Sequence, residues 1–176
     1  VATEPVSVTF NTRGITFESV RFAGGGSNLT LSGTKALTDD GINNLALDGR
    51  VNLALLNVFP GISAADTFFG GFADVSMRLA GVNTTARVTG TANIDNGAIA
   101  TFIGTSRLTL DRLQGRVIFT SNQAQIEQAT GYLGGGRFVA SGGALIGDDL
   151  RLAAYQISLN GTNITVPLPE NFVTTG

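Results

Sequence analysis

The sequence predicts an all-β protein: one long, strongly curved, mostly antiparallel sheet that leaves an open apolar groove along one side. Three observations carry this prediction. Apolar and polar residues alternate through most of the 176 positions, which is the period that puts every second side chain on one face of a strand. A nine-residue alternating phrase with glycine at its centre is written three times, starting at Leu45, Ala86 and Phe138. No amphipathic helix is present to cover the apolar side of such a sheet.

The three copies read LALDGRVNL, ARVTGTANI and FVASGGALI, and half-copies ending at the glycine start at Leu29, Met77 and Ile157. Each glycine falls in phase with the apolar residues, where it adds no packing area and weakens the strand. What it supplies is a point where the backbone can bend sharply or approach a neighbour closely. The phrase therefore describes strands that are oily on one face and folded about their middles. The copies start at 29, 45, 77, 86, 138 and 157, with no fixed interval. That excludes a regular β-helix of equal coils and favours a meander of unequal strands.

Taken in order, Val6, Val8 and Phe10 alternate, followed by Ile15 and Phe17, then Val20 and Phe22, up to a turn at Gly24, Gly25 and Gly26. Leu29 and Leu31 form the next strand, and Asp39, Asp40 and Gly41 the next turn. The longest clean alternation runs through Leu45, Leu47, Val51, Leu53 and Leu55, with Asp48, Arg50 and Asn52 on the face that meets water. From Leu55 to Phe72 the alternation fails: Leu56, Val58, Phe59, Ile62, Phe68 and Phe69 follow no period, and Pro60 and Gly61 forbid a long helix. This stretch reads as a short helical turn or apolar loop that covers one end or edge of the sheet.

Alternation resumes at Ala73, Val75, Met77 and Leu79. The short connection Gly81 to Thr85 permits only an antiparallel hairpin. Beyond Asp95, Asn96 and Gly97 come Ile99, Ile103, Leu108 and Leu110, then Gly115, Val117 and Phe119, then Ile126. Gly134, Gly135 and Gly136 turn into the third phrase, Asp148 and Asp149 turn out of it, and Leu150, Leu152, Tyr155, Ile157 and Leu159 follow before Pro167 and Pro169 close the pattern. About a dozen strands at roughly 4.8 Å each would make a trough about 55 Å long.

Composition narrows the function. The length suits one domain, and 24 glycines with only 14% charged residues make an oily chain, yet it lacks the ~18 consecutive apolar residues of a membrane helix. Thr3, Glu4 and Pro5 interrupt any signal-peptide run, and the chain reads as a segment of a longer protein. The absence of Cys and His removes disulfides, thiolate and imidazole metal sites and the commonest nucleophiles and bases. A net charge of −2 with scattered Lys and Arg argues against nucleic acid. Asp39 with Asp40 and Asp148 with Asp149 sit among turn residues, and neither glycine triplet is followed by a Lys and Ser/Thr pair, so both read as turns. Glu18, Glu127 and Glu170 are too isolated to nominate as the two carboxylates of a glycosidase. No enzyme activity, metal or cofactor is expected.

An open face built from Leu, Val, Ile and Phe calls for a ligand or partner, and acyl chains match it, because each buried methylene is worth about 0.8 kcal/mol with no directional requirement. The residues expected to line the groove are Leu45, Leu47, Val51, Leu53, Leu55, Val75, Met77, Leu79, Val88, Ile94, Leu108, Leu110, Val117, Phe119, Ile126, Phe138, Ile146, Leu152, Ile157 and Leu159. An isolated chain of this kind is also expected to pair groove to groove.

The segments VTGTANIDNGAIA, LQGRVIF, ATGYLGGGRFVASGGALI and NGTNITVPLP, spanning Val88 to Phe172, resemble the C-terminal region of the TamB family, itself related to AsmA-like lipid-transfer proteins. GINNLALDGRVNLALLNVFPG is similar to that family's recurrent strand, glycine, strand and proline unit. The resemblance implies a segment of an inner-membrane-anchored protein of the bacterial periplasm that reaches toward the outer membrane. It implies the family's β-taco fold, phospholipid or unfolded outer-membrane protein strands as cargo, and a TamA-like barrel of the Omp85 class as partner through parts outside this segment. The alternatives are a structural β module of an adhesin or autotransporter passenger with a filled core, and a holdase that binds unfolded strands by edge pairing.

Overall fold

The computed structural model describes residues 7–58, 67–147 and 152–165. They form a single ten-stranded sheet in sequence order, not closed on itself, with every ladder antiparallel. The strands are β1 (Val8–Phe10), β2 (Gly14–Gly24), β3 (Ser27–Ala36), β4 (Ile42–Asn52) and β5 (Phe68–Val82). They continue as β6 (Arg87–Ile103), β7 (Ser106–Ser121), β8 (Gln123–Leu133), β9 (Gly136–Ile146) and β10 (Leu152–Thr162). Among the described residues ten strands stand where about a dozen were expected, and the sheet measures about 43 Å across the ladders. The all-β, antiparallel, open-sheet reading holds.

Turn chemistry fixes the meander. Gly25 and Gly26, with φ of 58° and 83°, form a two-residue loop between the paired Gly24 and Ser27, the left-handed geometry that matches strand twist. Gly134 and Gly135 repeat it between β8 and β9. Asp39 and Asp40 lie in the β3–β4 turn. The Gly81–Thr85 connection is the predicted hairpin, tightened by a 3-10 turn at Asn83–Thr85. Asp148, Asp149, Leu150, Pro167 and Pro169 lie outside the described residues.

Two expectations need correction. The alternation predicted to reach Leu55 stops at Asn52, and Leu53 and Leu55 belong to a 3-10 helix, Leu53–Val58. The cause is Asn52: its side-chain oxygen accepts the Ala54 N–H at 2.9 Å, while its Nδ2 donates to Gly25 O at 2.6 Å. This Asx turn competes with the ladder and starts the helix. In addition, Phe68 and Phe69 open β5 rather than belonging to the covering loop; Phe59, Pro60, Gly61 and Ile62 lie outside the described residues.

The short helix does cover the sheet, through an amide. Asn57 Nδ2 donates to Phe69 O at 3.0 Å and Asn57 Oδ1 accepts the Phe69 N–H at 2.7 Å. A primary amide thus stands in for the peptide that β4 no longer supplies, and β5 runs on past the end of its neighbour with those groups satisfied.

No second layer exists among the described residues: contacts between elements follow the ladders, with the Leu53–Val58 helix lying against β5. Burial is correspondingly thin. Among the described residues eight hydrophobic residues are buried, and of these only Val20 and Phe138 are larger than alanine. Phe138 centres a small cluster with Ala129 and Ala140, against which Leu110, Leu113, Ile126, Leu133 and Ile164 pack. Along β5 from Ala73 onward, half-buried residues alternate with exposed ones. With no layer on top, that asymmetry marks the apolar side as the less exposed face of the sheet.

Candidate functional site

Residues directly opposite in a ladder share a face, so the register assigns every strand position to one side of the sheet. One cross-strand row runs Phe22, Leu29, Gly49, Val75, Ala92, Val117, Ile126, Gly142, Ile157. The row beside it runs Val20, Leu31, Leu47, Met77, Gly90, Phe119, Ala124, Ala144, Tyr155. A third runs Val51, Ala73, Ile94, Gly115, Ala129, Ala140, Leu159. Each nine-strand row covers about 38 Å of uninterrupted apolar or glycine positions.

Eighteen of the twenty groove candidates lie in this register. Leu45 pairs with Leu79 and Leu79 with Val88; Leu108 and Leu110 pair with Thr101 and Ile99; Phe138 pairs with Gly131 and Gly161; Ile146 pairs with Leu152. Leu53 and Leu55 are the two that leave it, and Leu55 is exposed on the 3-10 helix. The same face holds residues not among those candidates: Phe17, Val20, Phe22, Leu29, Leu31, Ile99, Leu113 and Leu133. Their signal was parity. At Phe17 to Val20, Ile94 to Gly97, Leu110 to Leu113 and Ile126 to Ala129 the apolar phase slips by one, and at each place the ladder carries a bulge. Asn96 and Arg112, at two of these bulges, take φ of 51° and 50°. A bulge inserts one residue and returns the following side chains to the original face.

The phrase glycines make the face possible. Gly49, Gly90 and Gly142 have φ of 130°, 135° and 154°. A Cβ on each would lie 2.1 Å from Asn28 O, 2.1 Å from Ser76 O and 2.2 Å from Gln156 O respectively. Neighbouring backbone therefore occupies the space a side chain would need, on the apolar side of the strand.

The opposite face carries the charges, among exposed apolar residues such as Ile42, Phe68, Phe102 and Leu145. Arg50 bridges Asp74 at 3.6 Å and Asp95 at 3.2 Å and lies over the Phe72 ring; Ser76 donates to Asp48 at 2.6 Å. Arg116 meets Glu127 at 3.7 Å. All these groups are well exposed, so each pair contributes at most about 1 kcal/mol; what they establish is sidedness. Among the described residues, no charge but Lys35 falls in the ladder register of the apolar face. Among the same residues no group of three carboxylates is placed to hold a metal. Glu18 lies in the β2 bulge and Glu127 in the β8 bulge; Glu170 lies outside the described residues.

At the turn end of this face a polar cluster closes the pattern. Asn43, 1% exposed, accepts the Ala36 N–H at 3.0 Å and donates to Gly81 O at 3.4 Å and Asn83 Oδ1 at 3.3 Å. Lys35 Nζ donates to the same Asn83 oxygen. No protein-family profile, curated protein or solved structure matches the chain.

Proposed function

We propose that this chain is a segment of a TamB-like periplasmic protein, and that its apolar face carries phospholipid acyl chains between membranes, with nascent outer-membrane protein strands as a second cargo. The observation that carries the proposal is the apolar face itself: rows of Leu, Val, Ile, Phe, Met, Ala and Gly cross nine strands with no layer of the described chain over them. Such a face is larger than the few hundred Å² that an ordinary monomer exposes, and acyl chains cover it without needing directed hydrogen bonds. The uncovered face of the described residues supports this reading over a filled-core adhesin module.

The test is a photoreactive residue at Val117, inside the apolar row, and another at Thr89, exposed on the opposite face, in the chain expressed in a bacterial periplasm. Lipid adducts from Val117 and none from Thr89 are the expected result. Adducts to unfolded outer-membrane protein from Val117 would assign the second cargo. Adducts only to the chain's own residues would overturn both.

A further inference from the structure

Lys35 is out of place on the face it occupies. It pairs with Ile15, two positions along β3 from Gly33, which pairs with Phe17 and Leu45, so its stem rises from the apolar side. Its ammonium reaches across β4 to Asn83, and its acceptor among the described residues is a neutral amide oxygen shared with Asn43. No carboxylate of the described residues lies within ion-pair distance, although Asp39 and Asp40 are close in the chain. Arg50 and Arg116, by contrast, have carboxylate partners, and these lie on the opposite face.

Lys35 is half-buried, and an ammonium held there without a counter-charge loses solvation that a neutral amide only partly restores. The same Asn83 oxygen takes both hydrogen bonds, and its Nδ2 makes none with the described residues. A positive head and an amide donor therefore stand together at the rim, where the apolar rows end.

We infer that Lys35 and Asn83 form a headgroup site for a singly tailed or doubly tailed anionic amphiphile, whose phosphate or carboxylate meets the ammonium while its acyl chain lies along the row of Phe17, Leu45, Leu79 and Val88. This rests on the acyl-chain reading above and adds a charge requirement to it. The anion supplies the counter-charge that the protein withholds, and Asn43, held by three hydrogen bonds, fixes the height of the site on the rim.

The experiment measures displacement of a polarity-sensitive dye from the purified chain by dodecyl phosphate, dodecanoate and dodecanol, which share one tail. The expected result is that both anions bind more tightly than the alcohol and that Lys35→Gln weakens them about tenfold, as loss of a charge-assisted hydrogen bond does. Dodecanol affinity should stay unchanged, which also reports an intact groove, and Lys35→Arg should retain the anion preference. Whichever anion binds more tightly tells a phosphate from a carboxylate headgroup. Equal affinity of all three for the original chain, or an anion preference that survives Lys35→Gln, overturns the inference while leaving the acyl-chain reading standing. Failure of all three to displace the dye removes both.

Discussion

A single missing side chain does the most at Gly90. Its φ of 135° lies where L-residues are strained, and Ser76 O would sit 2.1 Å from an added Cβ. Gly90→Ala should lower stability by about 2 to 3 kcal/mol, combining backbone strain with forced separation of β5 and β6. Gly143→Ala is the matched control: its nearest added contact is Ala124 O at 3.4 Å and it lies on the other face, so it should cost under about 1 kcal/mol. Urea midpoints of the two variants decide the comparison. Asn43 offers a second residue-scale test. Asn43→Ala strips the buried Ala36 N–H of its partner, an expected loss of about 1 to 3 kcal/mol.

Elements end where a side chain offers the backbone a better bond. Asn52 stops β4, and Asn57 then serves as a surrogate strand for Phe69. Asn57→Ala should leave the sheet intact but abolish hydrogen-exchange protection at the Phe69 amide, with a global cost of about 1 kcal/mol. Unchanged protection there would mean that the surrogate pairing does not hold in solution. These details separate what was legible in the sequence from what was not. Alternation is a property of neighbouring residues, so strand existence, the glycine hairpins and the sidedness of Leu45 to Val51 were open to reading. The end of that strand was not, because LALL continues the apolar character while Asn52 changes the hydrogen bonding; composition alone cannot rank an Asx turn against a ladder. Bulges were visible only as slips of parity, and a slip also fits two separate strands, as at Phe17 and Val20, until pairing with one neighbour joins them.

For the whole molecule, the decisive quantity is uncovered apolar area. Eighteen of the groove candidates came to one face because pairing carries parity from strand to strand; Lys35 escaped notice because its meaning depends on what lies two strands away. Val117→Glu puts a charge in the middle of a nine-strand row with open space above it. The sheet should survive, by far-ultraviolet circular dichroism, while dye or lipid binding falls at least tenfold. The same substitution is expected to abolish the concentration-dependent self-association predicted for the purified chain, read by sedimentation velocity, since the uncovered apolar face is the one a second copy would cover. Association that persists in Val117→Glu would point to the strand edges instead.

The strict order of the strands has a consequence for how the protein is made and varied. Among the described residues every strand after the first bonds to the strand just before it, so these ladders need not wait for a distant part of the chain, and closure entropy is paid a few residues at a time. Assembly can follow synthesis from the amino terminus, hairpin upon hairpin, each new ladder laid on a finished one. In a linear array of this kind stability accumulates by nearest-neighbour increments. A duplicated or deleted hairpin would then alter the reach of the molecule by two strand widths, about 10 Å, and leave its lining, its sidedness and its turn chemistry as they were.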